Sequence, residues 1–211
     1  MTHQHSPPET RYTREPGYAE RYRDQRFRRA SGPRTHEREV AAVRALLARA
    51  GRPAPGPWLD LPSGAGRLSH LLPQPVVRAD RDATMLQACD GDARRVCAAA
   101  AALPFADGTF AGALCMRLMQ HIPTPTERLA ILRELRRVTA GPVLVSFFHS
   151  YSLQHARRAL RRCVRGQRSG RGAISARRFA AELREAGLEA RATMALCRWV
   201  SEQWIVLAIP L

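Results

Sequence analysis

Trp58-Leu59-Asp60-Leu61-Pro62-Ser63-Gly64-Ala65-Gly66-Arg67 is the stretch that decides how this chain folds. Trp58-Leu59-Asp60-Leu61 reads as a short buried strand that runs into a turn built on two glycines. A short helix is predicted to follow and to stop before Pro73. Strand, glycine turn and helix, in that order, form the place where a doubly wound sheet receives a ligand. Gly64 and Gly66 carry no Cβ, so a ligand can lie against the backbone. The first turn of the predicted helix would offer unpaired N–H groups to a carboxylate or phosphate. Val76-Val77-Arg78-Ala79-Asp80 is the next strand, and Asp80 ends it 20 residues after Asp60. A carboxylate there can accept two hydrogen bonds from a ribose diol, which points to a nucleoside-bearing cofactor. The dinucleotide fingerprint would need Gly or Ala at position 69, which is Ser69. A triphosphate-binding loop would need a lysine, and the chain contains none.

Working outward, strands and helices alternate. Val40, Val43, Leu46 and Leu47 lie at helical spacing and predict an amphipathic helix from His36, closed by Gly51 and Pro53. Residues 1–35 lack sustained apolar periodicity and are expected to be a flexible N-terminal segment, with one helical turn near 18–28. After the second strand come a helix over 83–89, a weak strand over 94–97 and a strand over 109–116. Thr124 as N-cap, Pro125 in the first turn and Glu127 completing a capping box open the next helix. Leu129, Leu132, Leu135 and Val138 supply its buried stripe. A strand over 143–148 and a helix over 175–186, ended by Gly187, precede two strands near 190–200 and 203–209. Too few residues separate those two for a crossover helix, so they pair antiparallel. The fold class is therefore α/β: three layers around a mostly parallel seven-stranded sheet with an antiparallel C-terminal hairpin. One domain spans 36–211, interrupted by a basic insertion or lid over 151–174.

Five segments, in order, resemble the class I S-adenosylmethionine (SAM) dependent methyltransferases, of the type 11-like kind, whose fold is Rossmann-like. Asp60-Leu61-Pro62-Ser63-Gly64-Ala65-Gly66-Arg67 is similar to the family's first motif, Asp/Glu-x-Gly-x-Gly-x-Gly. Asp80-Arg81-Asp82-Ala83-Thr84-Met85-Leu86 resembles its Asp-x-Ser-x-x-Met-Leu segment. Ala102-Leu103-Pro104-Phe105-Ala106-Asp107-Gly108-Thr109-Phe110 resembles its Leu-Pro-Phe-x-Asp-Gly-Ser-Phe run. Leu118-Met119-Gln120-His121-Ile122 and Leu135-Arg136-Arg137-Val138 resemble the stretches around its fourth strand and before its fifth. The likeness extends from about residue 39 to Leu211.

The resemblance implies SAM as cofactor and methyl transfer as the activity. It would lay Ser63, Gly64, Ala65 and Gly66 against the methionine half, with Asp60 orienting that region. It would put Asp80, with Arg81 beside it, on the ribose, and Met85 and Leu103 on either side of the adenine. Arg117 follows the fourth strand and is a candidate to bind an acidic group on cofactor or substrate; it can equally pair with a nearby carboxylate. His121 is the candidate base for an acceptor that must lose a proton, against a purely structural role. His149 is a second candidate. Three positions depart from the family pattern. Pro62 stands for the first glycine and lacks an N–H. Ala99 stands where an aspartate often reaches the adenine. Thr139-Ala140-Gly141-Pro142 is a shorter turn than the family's.

The net charge of +16 is carried entirely by arginine, and nine arginines with no acidic residue lie between Tyr151 and Arg178. That stretch reads as a solvated face, as a patch for an anionic small molecule or a peripheral membrane surface, or as an RNA contact. Aromatic residues to stack bases are not interleaved with its arginines. The five cysteines are scattered without a paired motif, which argues against a zinc site or disulfide frame; no metal is expected. No secretory signal or membrane-length apolar run is read, so the protein is expected to be cytoplasmic. A small molecule or lipid-linked compound is the expected acceptor, with RNA methylation or a non-catalytic binding role as alternatives.

Overall fold

The computed structural model describes residues 32–52, 54–155, 157 and 172–211. The expected flexible lead as far as residue 31, its helical turn near 18–28 and the centre of the basic stretch, 158–171, lie outside the described residues.

Helix α1 (Gly32–Ala50) starts four residues before the expected His36. Pro33 accounts for this: its fixed φ and missing N–H suit a first helical turn, whose amides have no intrahelical acceptor. The helix buries Glu39, Ala42, Val43 and Leu46 along one face, and Gly51 at φ +77° ends it.

Strands β1 (Trp58–Asp60), β2 (Val76–Asp80), β3 (Arg94–Cys97), β4 (Gly112–Cys115), β5 (Val143–Phe148), β6 (Leu188–Ala195) and β7 (Gln203–Pro210) form one sheet. Their order is β3-β2-β1-β4-β5-β7-β6. β7 pairs antiparallel with β5 and β6, and the other pairings are parallel. The chain steps outward from β1 to β3 and then returns to β4 on the other side of β1. Such a reversal opens a crevice at the carboxyl ends of β1 and β4. β3 and β6 are the outer strands; β3 is largely exposed, and the register of β6 shifts between Ala190 and Ala192.

Helices α2 (Ala83–Gln87), α3 (Pro125–Val138) and α4 (Ala176–Glu185) complete the layers. Leu132 and Leu135 of α3 and Phe179 and Leu183 of α4 pack with Leu59, Val143 and Phe147 on one face of the sheet. Val43 and Leu46 of α1 pack with Trp58, Leu114, Leu144 and Leu207 on the other. The α3 stripe is Ile131, Leu132, Leu135 and Val138, with Leu129 only half-buried. Thr124 caps α3 by accepting from the Glu127 N–H, while its own hydroxyl donates to the Glu127 carboxylate at 2.7 Å.

Three elements differ from the sequence reading. After β1 there is no α-helix but a run of turns ending in one 3-10 turn, Ser69–Leu71. Gly64 and Gly66, at φ +53° and +74°, start the run outside helical space. Its hydrogen bonds then close three residues back, from Gly66 to Ser63, Ser69 to Gly66 and Leu72 to Ser69. β4 covers Gly112–Cys115 rather than 109–116, because the Phe110 amide is bonded to the carbonyl of Val138, the last residue of α3. β6 ends at Ala195, where a turn closed by Val200 N–H to Cys197 O carries Trp199 at φ +66°.

Candidate active site

The adjacent ends of β2, β1 and β4 fix the loop first. Leu61 N–H donates to Leu114 O and Ser63 N–H to Ala79 O, both at 2.9 Å, which ties the loop to the strands on either side. Gly64 N–H then donates to Asp80 Oδ2 at 2.8 Å, and Asp82 N–H to Asp80 Oδ1 at 3.0 Å. Each oxygen of the Asp80 carboxylate is thus held by one backbone amide and keeps lone-pair capacity for a second donor. Burial raises its pKa, and the two amides act in the opposite direction. Asp82 caps α2 by accepting from Thr84 and Met85 N–H, which aims Met85 at Gly64: a Cβ on Gly64 would touch Met85 Cε at 3.5 Å.

Asp60 is buried beneath the loop. Ser69 Oγ donates to its Oδ2 at 2.6 Å, and Arg78 Nε donates to Ser69 Oγ at 3.1 Å. Burial pushes the Asp60 carboxyl up to about 6. The amides of Leu61, Ser63, Gly64 and Gly66 are all bonded to protein oxygens, so the expected row of open helix amides is not formed. Pro62 fits this pattern, since its neighbours' N–H groups serve the strands rather than the cavity.

Above the loop lies a cavity of about 650 Å³, within the size range of small-molecule sites. Asp60, Ser63, Gly64, Ala65, Asp80, Arg81, Met85, Arg117 and His121 all line it. Gly66 and Leu103 do not. A Cβ on Gly66 would meet the Arg78 guanidinium at 3.1 Å and Cys89 Sγ at 3.3 Å, so this glycine serves the turn. Leu103 belongs to the core; its N–H donates to Glu134 and its carbonyl accepts from Arg137. The short side chains of residues 98–101 stand on the cavity wall.

Arg117, at φ +60°, is held by its own N–H donating to Ser146 Oγ at 2.6 Å. Its Nε donates to Glu39 Oε1 at 2.7 Å. Glu39 is the residue that the sequence reading did not single out. It is fully buried, accepts also from Arg67 and Gln203, and brings α1 to the cavity. Its signal was present: Glu39 shares the helical face of Ala42, Val43 and Leu46.

His121 ends the 3-10 turn Met119–His121 and stands exposed at the cavity mouth. Beside it, Gln120 is buried against the cavity, and its Oε1 has no hydrogen-bond partner among the described residues. His149 is not at this site. It lies buried on the far side of Phe148, stacked on Trp204 at 4.4 Å, with Nδ1 accepting from Tyr151 N–H. Consecutive residues at a strand end point to opposite faces, which separates it from the cavity that Phe148 lines.

The architecture is a Rossmann-like methyltransferase fold, with a mostly parallel seven-stranded sheet and an antiparallel C-terminal pair. Residues 59–141, from β1 to the turn before β5, match the family model described as a methyltransferase domain. Similar solved structures include magnesium protoporphyrin IX methyltransferase from Synechocystis with bound S-adenosylhomocysteine (16% identity, 90% of this chain and 93% of that one, TM-score 0.71). A SAM-dependent methyltransferase from Methanosarcina mazei is 16% identical over 79% of this chain and 97% of that one, with a TM-score of 0.62. Another, from Leishmania major, is 12% identical over 92% and 82% of the two chains, with a TM-score of 0.66. At these identities the likeness is one of fold. No curated protein matches the chain in sequence. Among the described residues, no helix is long and apolar enough to cross a membrane.

Proposed function

We propose that this protein transfers the methyl group of SAM to a small or lipid-linked acceptor. One observation carries the reading: a buried carboxylate, Asp80, is fixed by an amide on each oxygen at the wall of a ligand-sized cavity. A ribose diol is the matching donor pair. Met85 and the small residues 98–101 offer apolar walls to an adenine. Gly64 and Ala65 leave room for the methionine backbone. When bound, the sulfonium supplies a methyl group whose bond to sulfur breaks as the acceptor's lone pair attacks, the old bonding electrons staying on sulfur. The chain's part is to hold and orient, and little else is needed for an in-line displacement. His121, at the mouth, takes up the proton from an acceptor that loses one. Residues 36–211 act as the catalytic domain, and the described end of the basic stretch, from Gly172, borders the acceptor side. The described end of that stretch supports this arrangement, since Gly172 N–H donates to Gln120 O at 2.8 Å beside His121.

Calorimetric titration with S-adenosylhomocysteine tests the reading. The wild type is expected to bind, Asp80→Ala to bind at least tenfold more weakly, and His121→Ala to bind as the wild type does. Equal affinity of wild type and Asp80→Ala would sink the cofactor assignment. A loss in His121→Ala matching that of Asp80→Ala would put His121 on the cofactor instead of the acceptor.

A further inference from the structure

Glu39 lies in α1, far in sequence from every loop that lines the cavity, yet three donors from three loops or strands converge on it. Arg67 Nη2 donates to its Oε2 at 2.6 Å, Arg117 Nε to its Oε1 at 2.7 Å, and Gln203 Nε2 to its Oε1 at 2.6 Å. His36, one turn earlier in α1, is hydrogen-bonded through Nδ1 to Arg67 Nη1. Glu39 is wholly buried and does not line the cavity, and neither does Gln203. Arg67 and Arg117 do line it, with about a fifth of each side chain exposed at 21% and 23%.

This arrangement polarises the cavity. Asp80 and Asp82 stand at the β2 side with Arg81 between them, and the two guanidinium groups bonded to Glu39 stand towards α1 and β4. Two like charges share this one carboxylate, which offsets their mutual repulsion. Gln203 in turn fixes the carboxylate's rotation. The backbone at Arg117 serves the same end: a non-glycine residue at φ +60° persists only where its surroundings hold it, and Ser146 Oγ does so here.

We infer that Arg67 and Arg117 form a subsite for a ligand carboxylate, and that Glu39 is the positioning residue that holds both guanidinium groups on the cavity wall. The inference rests on the SAM reading above, in which the carboxylate is that of the methionyl group. Glu39 acts through orientation and not through neutralisation, and the two roles predict opposite signs. If Glu39 only lowered the positive field, removing its charge would leave the cavity more positive and tighten the hold on a carboxylate. If it orients the arginines, removing its charge shifts their guanidinium groups on the cavity wall and the carboxylate is held less well.

The matched probes are SAM and decarboxylated SAM, which differ only in that carboxylate, titrated calorimetrically into wild type, Glu39→Gln and Arg117→Ala. The wild type is expected to prefer SAM. Glu39→Gln is expected to weaken SAM binding about tenfold, with decarboxylated SAM within twofold of the wild type, so that the preference collapses. Arg117→Ala, at a partly exposed side chain, is expected to lose the same preference even if Glu39→Gln folds poorly. Tighter SAM binding by Glu39→Gln overturns the positioning role. A parallel loss for both probes in Glu39→Gln overturns it as well, because support of the fold would not distinguish them. An Arg117→Ala variant that keeps the wild-type preference overturns the subsite. A wild type that binds neither probe removes the SAM reading beneath it, whereas binding of both without preference removes only the carboxylate subsite.

Discussion

Single side chains in this molecule are set against their solution chemistry, and Asp60 shows the consequence most directly. Burial lifts its carboxyl from the ordinary 3.8 to about 6 in the folded state. The native protein therefore holds that proton more tightly than the unfolded chain does. Asp60's contribution to stability is full below about pH 4, declines as pH rises to about 6, and levels off above that. At neutral pH the ionised, buried form is disfavoured by about 3 kcal/mol relative to the unfolded chain. Asp60→Asn keeps an acceptor for Ser69 and has no charge to bury. Urea midpoints followed from about pH 4 to about pH 7 are expected to show the wild type losing stability relative to this variant as pH rises. Parallel curves for the two proteins would contradict the burial argument. The residues whose place at the cavity was legible in the sequence are those fixed by chain position. Asp60, Ser63, Gly64 and Asp80 sit at the ends of predicted strands, and the cavity holds them all. The surroundings of Glu39 and Leu103 were not legible, because they depend on what a distant segment brings beside them: Gln203 in one case, Glu134 and Arg137 in the other.

Whole elements were easier to read where burial is complete along their length. β1, β4 and β5 are buried at every position, and their continuous apolar runs announce them. The turn after β1 misled because a helix and a chain of three-residue turns share apolar spacing, and Leu68 and Leu72 pack against the α1 layer in either form. Between α3 and α4 the decisive contact is ionic. Arg128 Nε and Nη2 donate to the two oxygens of Glu182 at 2.8 and 2.6 Å, with both side chains buried. Removing Arg128 leaves the buried Glu182 with only the exposed Arg178 at 3.6 Å as a counter-ion, so Arg128→Met alone is expected to destabilise the fold by about 3 kcal/mol. Arg128→Met with Glu182→Leu removes both charges and is expected to recover at least half of that loss. Chemical denaturation of the wild type, two single variants and the double variant measures the coupling, and strict additivity would deny that the pair acts as a unit.

At the scale of the whole molecule, a net charge of +16 acts on every approaching polyanion. A small-molecule acceptor implies that RNA is attracted without being recognised. An oligoribonucleotide is therefore expected to bind no more tightly than about 1 μM at physiological salt, with affinity falling steeply as salt rises. Submicromolar affinity that persists above that salt would favour RNA as the substrate. The same arginines act at the borders of the sheet. Arg94 and Arg95 stand exposed on β3, and Arg191 stands exposed where the register of β6 slips. An outer strand is a template on which another chain's strand can grow. A second copy approaching edge to edge would meet like charge at one border and a broken ladder at the other. The sheet thus carries its own stop signal, and growth ends at seven strands.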